Sequence, residues 1–187
     1  KPGTVGPPLP GVECLVVNDA SEALPAGETG NLWVRGPNVF QGYWQNVEKT
    51  AESFTSDGYF KTGDLAVVDD DGYISIVGRS KDLIITGGLN VYPKEIELVL
   101  DAIDGVMESA VIGLPHPDFG ESVCAVIVSL PEVDLTAELI YDQIKPLLAN
   151  FKTPKKIFFI QNLPRNTMGK VQKNQLREQF SDAAHNP

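Results

Sequence analysis

The rhythm of apolar and polar positions changes near residue 80. Before it, short apolar runs are cut by turn residues; after it, helix-spaced and strand-like runs alternate. In the first part, Val12–Val17 is β-rich, Pro25–Ala26–Gly27 turns the chain, and Gly30–Gly36 reads as a further strand. Val47–Phe54 has room for about two helical turns, with Glu48 near its start. Leu65–Val68 and Tyr73–Val77 flank Asp69–Asp70–Asp71–Gly72, the pattern of a β-hairpin closed by an Asp-Gly turn.

From residue 82 the spacing predicts alternating strands and helices. Leu83–Thr86 is a strand that stops at Gly87–Gly88. Pro93 suits the first position of a helix on which Ile96, Leu100 and Ile103 share a face, closing at Asp104–Gly105. Val106–Leu114 and Ser122–Leu130 are strands, joined by a loop over Pro115–Gly120. Thr136–Asn150 carries an apolar stripe of Ile140, Ile144, Leu147 and Leu148, which Pro146 must kink or break. Lys155–Ile160 is a last strand, Lys173–Phe180 a last helix carrying Leu176, and Ser181–Pro187 a frayed tail. The predicted class is α+β, with a β-rich lobe over residues 1–80 and a small α+β lobe over residues 81–187.

Composition narrows the partners. A net charge of −10 over 187 residues argues against nucleic acid or an anionic membrane, so any anionic ligand needs a local positive site. Cys14 and Cys124 make neither a disulfide framework nor a metal site, which fits a reducing, cytoplasmic setting. No apolar run approaches the roughly 18 residues of a membrane span. The first residue is Lys1, not Met, which suggests a piece of a longer protein.

Several positions carry candidate chemistry. Lys170 follows Gly169 in a run of turn residues, so its amine would stand at a loop tip as a mobile cation; an ordinary solvated turn lysine looks the same. In Thr62–Gly63–Asp64 a carboxylate at a glycine-bent strand entrance is suited to accept from the vicinal hydroxyls of a ribose, or else to bond its own backbone. Arg79 offers a rigid fork for ribose or phosphate oxygens, or belongs to a surface charge cluster with Lys81 and Asp82, where a hinge would lie. Gly87–Gly88 lets a thin ligand pass along bare backbone, and its spacing is not that of a phosphate-cradling loop. The Asp69–Asp71 triplet lacks the alternation and distal Glu of a calcium loop and reads as a solvated turn. His116, between prolines, has no nucleophile at readable spacing and reads as a loop-fixing residue.

In order, Tyr59-Phe-Lys-Thr-Gly-Asp64, Gly72-Tyr-Ile-Ser-Ile-Val-Gly-Arg79-Ser-Lys-Asp82, Gly87-Gly-Leu-Asn-Val-Tyr-Pro-Lys-Glu-Ile-Glu97 and Pro164-Arg-Asn-Thr-Met-Gly-Lys170 resemble the adenylate-forming enzymes. That superfamily comprises acyl-coenzyme A synthetases, luciferases and the adenylation domains of peptide synthetases. The last motif, with Val171-Gln-Lys-Asn174 after it, is most similar to malonyl- and related acyl-coenzyme A synthetases. The resemblance implies ATP, a carboxylic acid and coenzyme A as substrates, with AMP and pyrophosphate released. It places Asp64 on the ribose hydroxyls of ATP and AMP, with Arg79 beside it. Lys81 falls at the hinge about which a small C-terminal domain rotates, and Gly87 and Gly88 at the pantetheine tunnel. Lys170 falls where a lysine bridges the carboxylate and the α-phosphate. Charge placement suggests Lys145 or Lys152 for the phosphates of coenzyme A.

The family's Gly/Ser/Thr-rich phosphate loop, its aromatic–Gly–x–Thr–Glu segment and its acyl pocket are not in this sequence. The expectation is the end of the large domain plus the whole small domain, inactive alone. Magnesium is expected in the full-length enzyme, with no ligand to it in this chain. Two other readings stay open: a non-catalytic binding module of the same fold, and an adenylation domain serving a carrier protein.

Overall fold

Four antiparallel strands in the order β1-β2-β3-β4 build the first lobe: β1 Glu13–Val17, β2 Thr29–Arg35, β3 Phe60–Val68 and β4 Ile74–Arg79. They are seen in a computed structural model that describes residues 1–182. Val16, Leu32, Ala66 and Ile74 bury one face of this sheet. The helix α1, Val47–Ser53, starts where the Asn46 side chain accepts the Lys49 N–H at 2.9 Å, satisfying one orphan donor of its first turn. The Asp69–Gly72 turn joins β3 to β4. Asp69 holds it by accepting the N–H groups of Asp71 (3.0 Å) and Tyr73 (2.9 Å).

β3 begins five residues earlier than the hydrophobic pattern indicated, so Thr62–Gly63–Asp64 lies inside the strand and not at its entrance. The pattern stops short because the ladder is irregular there. Asn31 pairs with Leu65 and Trp33 with Lys61, so Leu32 alone faces Thr62, Gly63 and Asp64. Gly63 absorbs the extra length at φ +74°, a conformation other residues rarely hold.

The chain divides into two compact units, Lys1–Lys81 and Asp82–Pro187, with a 3₁₀ turn at Ser80–Asp82. The second unit has a sheet ordered β6-β5-β8-β7. Its strands are β5 Ile84–Thr86, β6 Leu89–Val91, β7 Val106–His116 and β8 Gly120–Ser129. A fifth, β9 Lys156–Phe159, runs parallel to β8 from Cys124↔Lys156 to Ile127↔Phe159. Alternate residues of β7 and β8 feed two cores. Val111, Val123, Ala125 and Ile127 pack with Ile96 and Leu100 of α2 (Pro93–Leu100) and Ile140 and Ile144 of α3 (Ala137–Ile144). Ala110, Ile112, Leu114, Cys124, Val126 and Val128 pack with Leu163 and with Leu176 of α4 (Lys173–Gln179). Both faces of β8 are therefore covered, which is why its sequence is a continuous apolar run. Each fully buried Ile or Leu contributes about 1.5–3 kcal/mol of transfer free energy.

Several expectations shift. β5 ends at Gly87–Gly88 as expected, and the two glycines turn it into β6, a strand absent from the sequence reading. Both glycines have positive φ (57° and 79°), as a two-residue hairpin requires. The predicted Pro115–Gly120 loop shrinks to three residues, because Pro115 and His116 pair with Glu121 and Gly120. α3 stops at Ile144, before Pro146, and Leu147 is exposed instead of joining the apolar stripe. In the expected tail, the Ser181 hydroxyl donates to the Glu178 carbonyl at 2.9 Å, and residues 183–187 lie outside the described residues.

Candidate functional site

In the first unit the irregular stretch of β3 is tied down at each residue. The Thr62 hydroxyl donates to the Leu32 carbonyl at 2.8 Å and accepts the Asp64 N–H at 3.0 Å. The Ser80 hydroxyl is within 3.0 Å of the Asn31 amide oxygen and 3.2 Å of the Gly63 carbonyl. Asp64 faces Arg79 across the β3–β4 ladder, and Arg79 Nε meets Asp64 Oδ1 at 2.7 Å. The Asp64 carboxylate thus pairs with a guanidinium; the local backbone bond goes to Thr62. Its other oxygen takes no hydrogen bond from the described residues, and the two side chains are 24% and 48% exposed. So exposed a pair is worth at most about 1 kcal/mol, and a hydroxyl-bearing ligand can share the carboxylate at little cost. Lys81 lies exposed in the 3₁₀ turn next to this site.

In the second unit the stretch around Lys170 is a small hairpin. Arg165 and Val171 form an isolated antiparallel bridge, and the Gln172 N–H donates to the Pro164 carbonyl at 2.8 Å. Across the tip, Asn166 and Lys170 pair, the Asn166 N–H reaching the Lys170 carbonyl at 2.9 Å. The Asn166 side-chain oxygen accepts the N–H groups of Met168 (3.0 Å) and Lys170 (2.9 Å). Gly169 supplies the required positive φ of 78°. Arg165 donates from Nη1 to the Gly169 carbonyl at 2.7 Å, while Nη2 pairs with Glu108 of β7. The backbone of the tip is thus engaged, yet the Lys170 ammonium has no partner among the described residues and is exposed. A hydrogen-bonded loop under a free cation is suited to present charge to an anionic ligand.

The β5–β6 turn lies elsewhere on this unit. Gly87, Phe119, Phe151 and Lys155 help line a cleft of about 280 Å³. The Gly87 N–H donates to the Phe119 carbonyl at 2.8 Å, fixing the turn to the β7–β8 connection. His116 Nδ1 accepts the Asp118 N–H at 3.2 Å and its ring packs on Phe119, 4.8 Å between centroids. Lys152, put forward for phosphate binding, is already held by both Glu95 oxygens at 2.6 and 2.8 Å. Lys145 caps α3 at the rim of a separate cleft with Tyr141 and Leu148. Sequence reasoning missed Lys155 at the glycine turn; nothing local marks it, since β9 brings it there. Burial pushes the Cys124 and Cys14 thiols up, and both cysteines are free. Among the described residues no three His, Cys, Asp or Glu gather as a metal site, and no helix is long and apolar enough to cross a membrane.

The model of the AMP-binding enzyme matches residues 1–44 and that of the AMP-binding enzyme C-terminal domain matches residues 95–170; the chain belongs to this family. It is 44% identical over 94% of its length to a 3-[(3aS,4S,7aS)-7a-methyl-1,5-dioxo-octahydro-1H-inden-4-yl]propanoyl:CoA ligase of Rhodococcus jostii. With a long-chain-fatty-acid–CoA ligase of Yersinia pestis it is 39% identical over 95% of its length. The chain spans about a third of each relative, 32% and 31%. Among solved structures, ATP-bound MatB from Rhodopseudomonas palustris superposes with a TM-score of 0.92 at 53% identity, over 98% of this chain and 37% of that one.

Proposed function

We propose that this chain is the C-terminal portion of an ATP-dependent acyl-coenzyme A synthetase, joining a carboxylic acid to coenzyme A with release of AMP and pyrophosphate. The observation that carries the reading is the unpartnered Lys170 ammonium on its hydrogen-bonded hairpin. In the adenylation step negative charge builds on the oxygens around the α-phosphorus, and a cation brought there lowers the barrier. Lys170 is given that role. Asp64 accepts from the ribose hydroxyls, oriented by Arg79, whose bond leaves one carboxylate oxygen available. Lys81, in the turn where the compact units part, is the proposed hinge of a mobile small domain. Rotation there would exchange Lys170 for the Gly87–Gly88 turn, which supplies bare backbone for pantetheine in the thioester step. Malonate is the proposed acid, supported by the wording of the Lys170 motif and the 53% identity to MatB. The proposed setting is the cytoplasm, and magnesium would be held by parts of the full-length enzyme outside this chain.

The test is made in the full-length enzyme, assayed with malonate against acetate. Lys170→Ala is expected to slow acyl-adenylate formation by about a hundred- to thousand-fold. Thioester formation from preformed adenylate should stay near the parent rate. Equal loss in both half-reactions would remove Lys170 from the bridging role, and faster turnover of acetate would remove malonate as the preferred acid.

A further inference from the structure

Arg165 is two-handed. Through Nη1 it holds the Gly169 carbonyl at 2.7 Å, one residue from Lys170, and through Nη2 it pairs with Glu108. Glu108 belongs to a different part of the lobe: it sits near the start of β7, 57 residues away in sequence. It is the first residue of β7 after a bulge. Val106 pairs with Ser129 and Glu108 with Val128, so Met107 is unmatched, and it is exposed. The bulge changes the alternation of β7. Val106 packs into the core under α2 and α3, although by simple alternation it would share a face with Ala110 and Ile112. Glu108 keeps the side of Ala110 and Ile112, the side on which Leu163 packs just before the hairpin. The Arg165 guanidinium therefore bridges the rigid sheet and the tip of the loop. With its charge matched by Glu108, it is not placed as a second cation for a ligand.

We propose that Arg165 and Glu108 form a latch that positions Lys170: they hold the Gly169 carbonyl against β7 so that the neighbouring ammonium is presented from a fixed base. This rests on the adenylation role proposed for Lys170. Both are positioning residues, acting on the reaction only through the loop. Neighbouring bonds leave that job to them. The Asn166 side chain organises the tip internally and Val171 packs its far end on the core, while Arg165 is the polar tie from the tip to the sheet among the described residues. An arginine suits the task because its planar fork holds two donor nitrogens rigidly apart, whereas a lysine presents a single compact ammonium.

The experiment compares Glu108→Gln, Arg165→Met, Arg165→Lys and the double variant in the full-length enzyme. Each is assayed for adenylation, for thioester formation from preformed adenylate, and for amide hydrogen exchange at Gly169 and Lys170. Loss of the latch is expected to lower the adenylation kcat by about ten- to a hundred-fold, the scale of a small misplacement of a reacting group, with the KM for ATP unchanged. Exchange at the two amides should quicken in every variant, and the double variant should be no worse than Arg165→Met alone. Glu108→Gln is the decisive one, because it leaves the arginine charge in place. If Glu108→Gln leaves both adenylation and exchange at parent values while Arg165→Met raises the KM for ATP, Arg165 binds substrate directly and the latch is wrong. If Lys170→Ala does not impair adenylation, the adenylation reading fails by itself. Exchange in Glu108→Gln then still decides the latch: faster supports it, unchanged overturns it.

Discussion

Glu13 and Asp64 each sit beside an arginine, and their surroundings give them opposite uses. Glu13 accepts from Arg35 Nη2 at 2.7 Å and Nε at 3.2 Å, and from the Tyr59 hydroxyl at 2.9 Å. The Arg35 guanidinium, then the Tyr59 hydroxyl, hold its carboxyl below the usual carboxylate range. A carboxyl depressed by folding adds stability above its unfolded value, about 4.3, and that stability is lost as pH falls through the lower folded value. Glu13→Gln should therefore melt below the parent at pH 7, with the gap closing under acid conditions. Thermal melts between pH 7 and 3 check this, and a gap that stays constant would reject it. Asp64 has one partner and one open oxygen. Thus Glu13 works as a structural brace, while Asp64 keeps capacity for a ligand. Nothing in Thr-Gly-Asp or in Val-Glu-Cys tells the two carboxylates apart, since the donors around Glu13 arrive from β2 and from the start of β3.

At the scale of elements, α4 shows how a helix too short to stand alone is held. Its seven residues fall below the length at which helices are stable in water, so packing must supply the stability. Leu176 is fully buried, Phe180 stacks on Phe158 with centroids 4.2 Å apart, and Arg177 pairs with Asp82 at 3.0 Å. Lys173 meets Glu97 at 2.6 Å in a largely buried pair. Glu97 also accepts the Val111 N–H at 2.9 Å, covering the edge of β7 that faces away from β8. Leu176→Ala should cost about 2–5 kcal/mol in chemical denaturation of the chain, and a loss below about 1 kcal/mol would mean that α4 is not anchored there. This helix was legible within a residue, as were α1 and the start of α2; the Asn46 cap of α1 and Pro93 of α2 are local signals, whereas α4 has no side-chain cap. β6 was not, although Gly87–Gly88 between apolar pairs is a hairpin signal. Three-residue strands gain their stability from pairing, which a single stretch of sequence does not display.

For the whole molecule, the division at Lys81 and the spread of functional groups over both units point the same way. Asp64 and Arg79 lie in one unit and Lys170 and the Gly87–Gly88 turn in the other, so no unit holds all the proposed machinery. The chain covers about a third of its relatives and lacks the phosphate loop and acyl pocket that the family resemblance requires. Given ATP and candidate acids, residues 1–187 alone are expected to release no pyrophosphate above background; sustained release would show that the missing segments are dispensable. The sequence by itself determined the α+β class, the change of pattern near residue 80 and the four ordered motifs, because periodicity, turn residues and motif spacing act over a few neighbours. Tertiary structure alone decided which oxygen of Asp64 stays open, that the backbone around Lys170 is pinned while its amine is free, and that Arg165 finds Glu108. Those outcomes depend on strand register, and register is set by contacts between residues far apart along the chain.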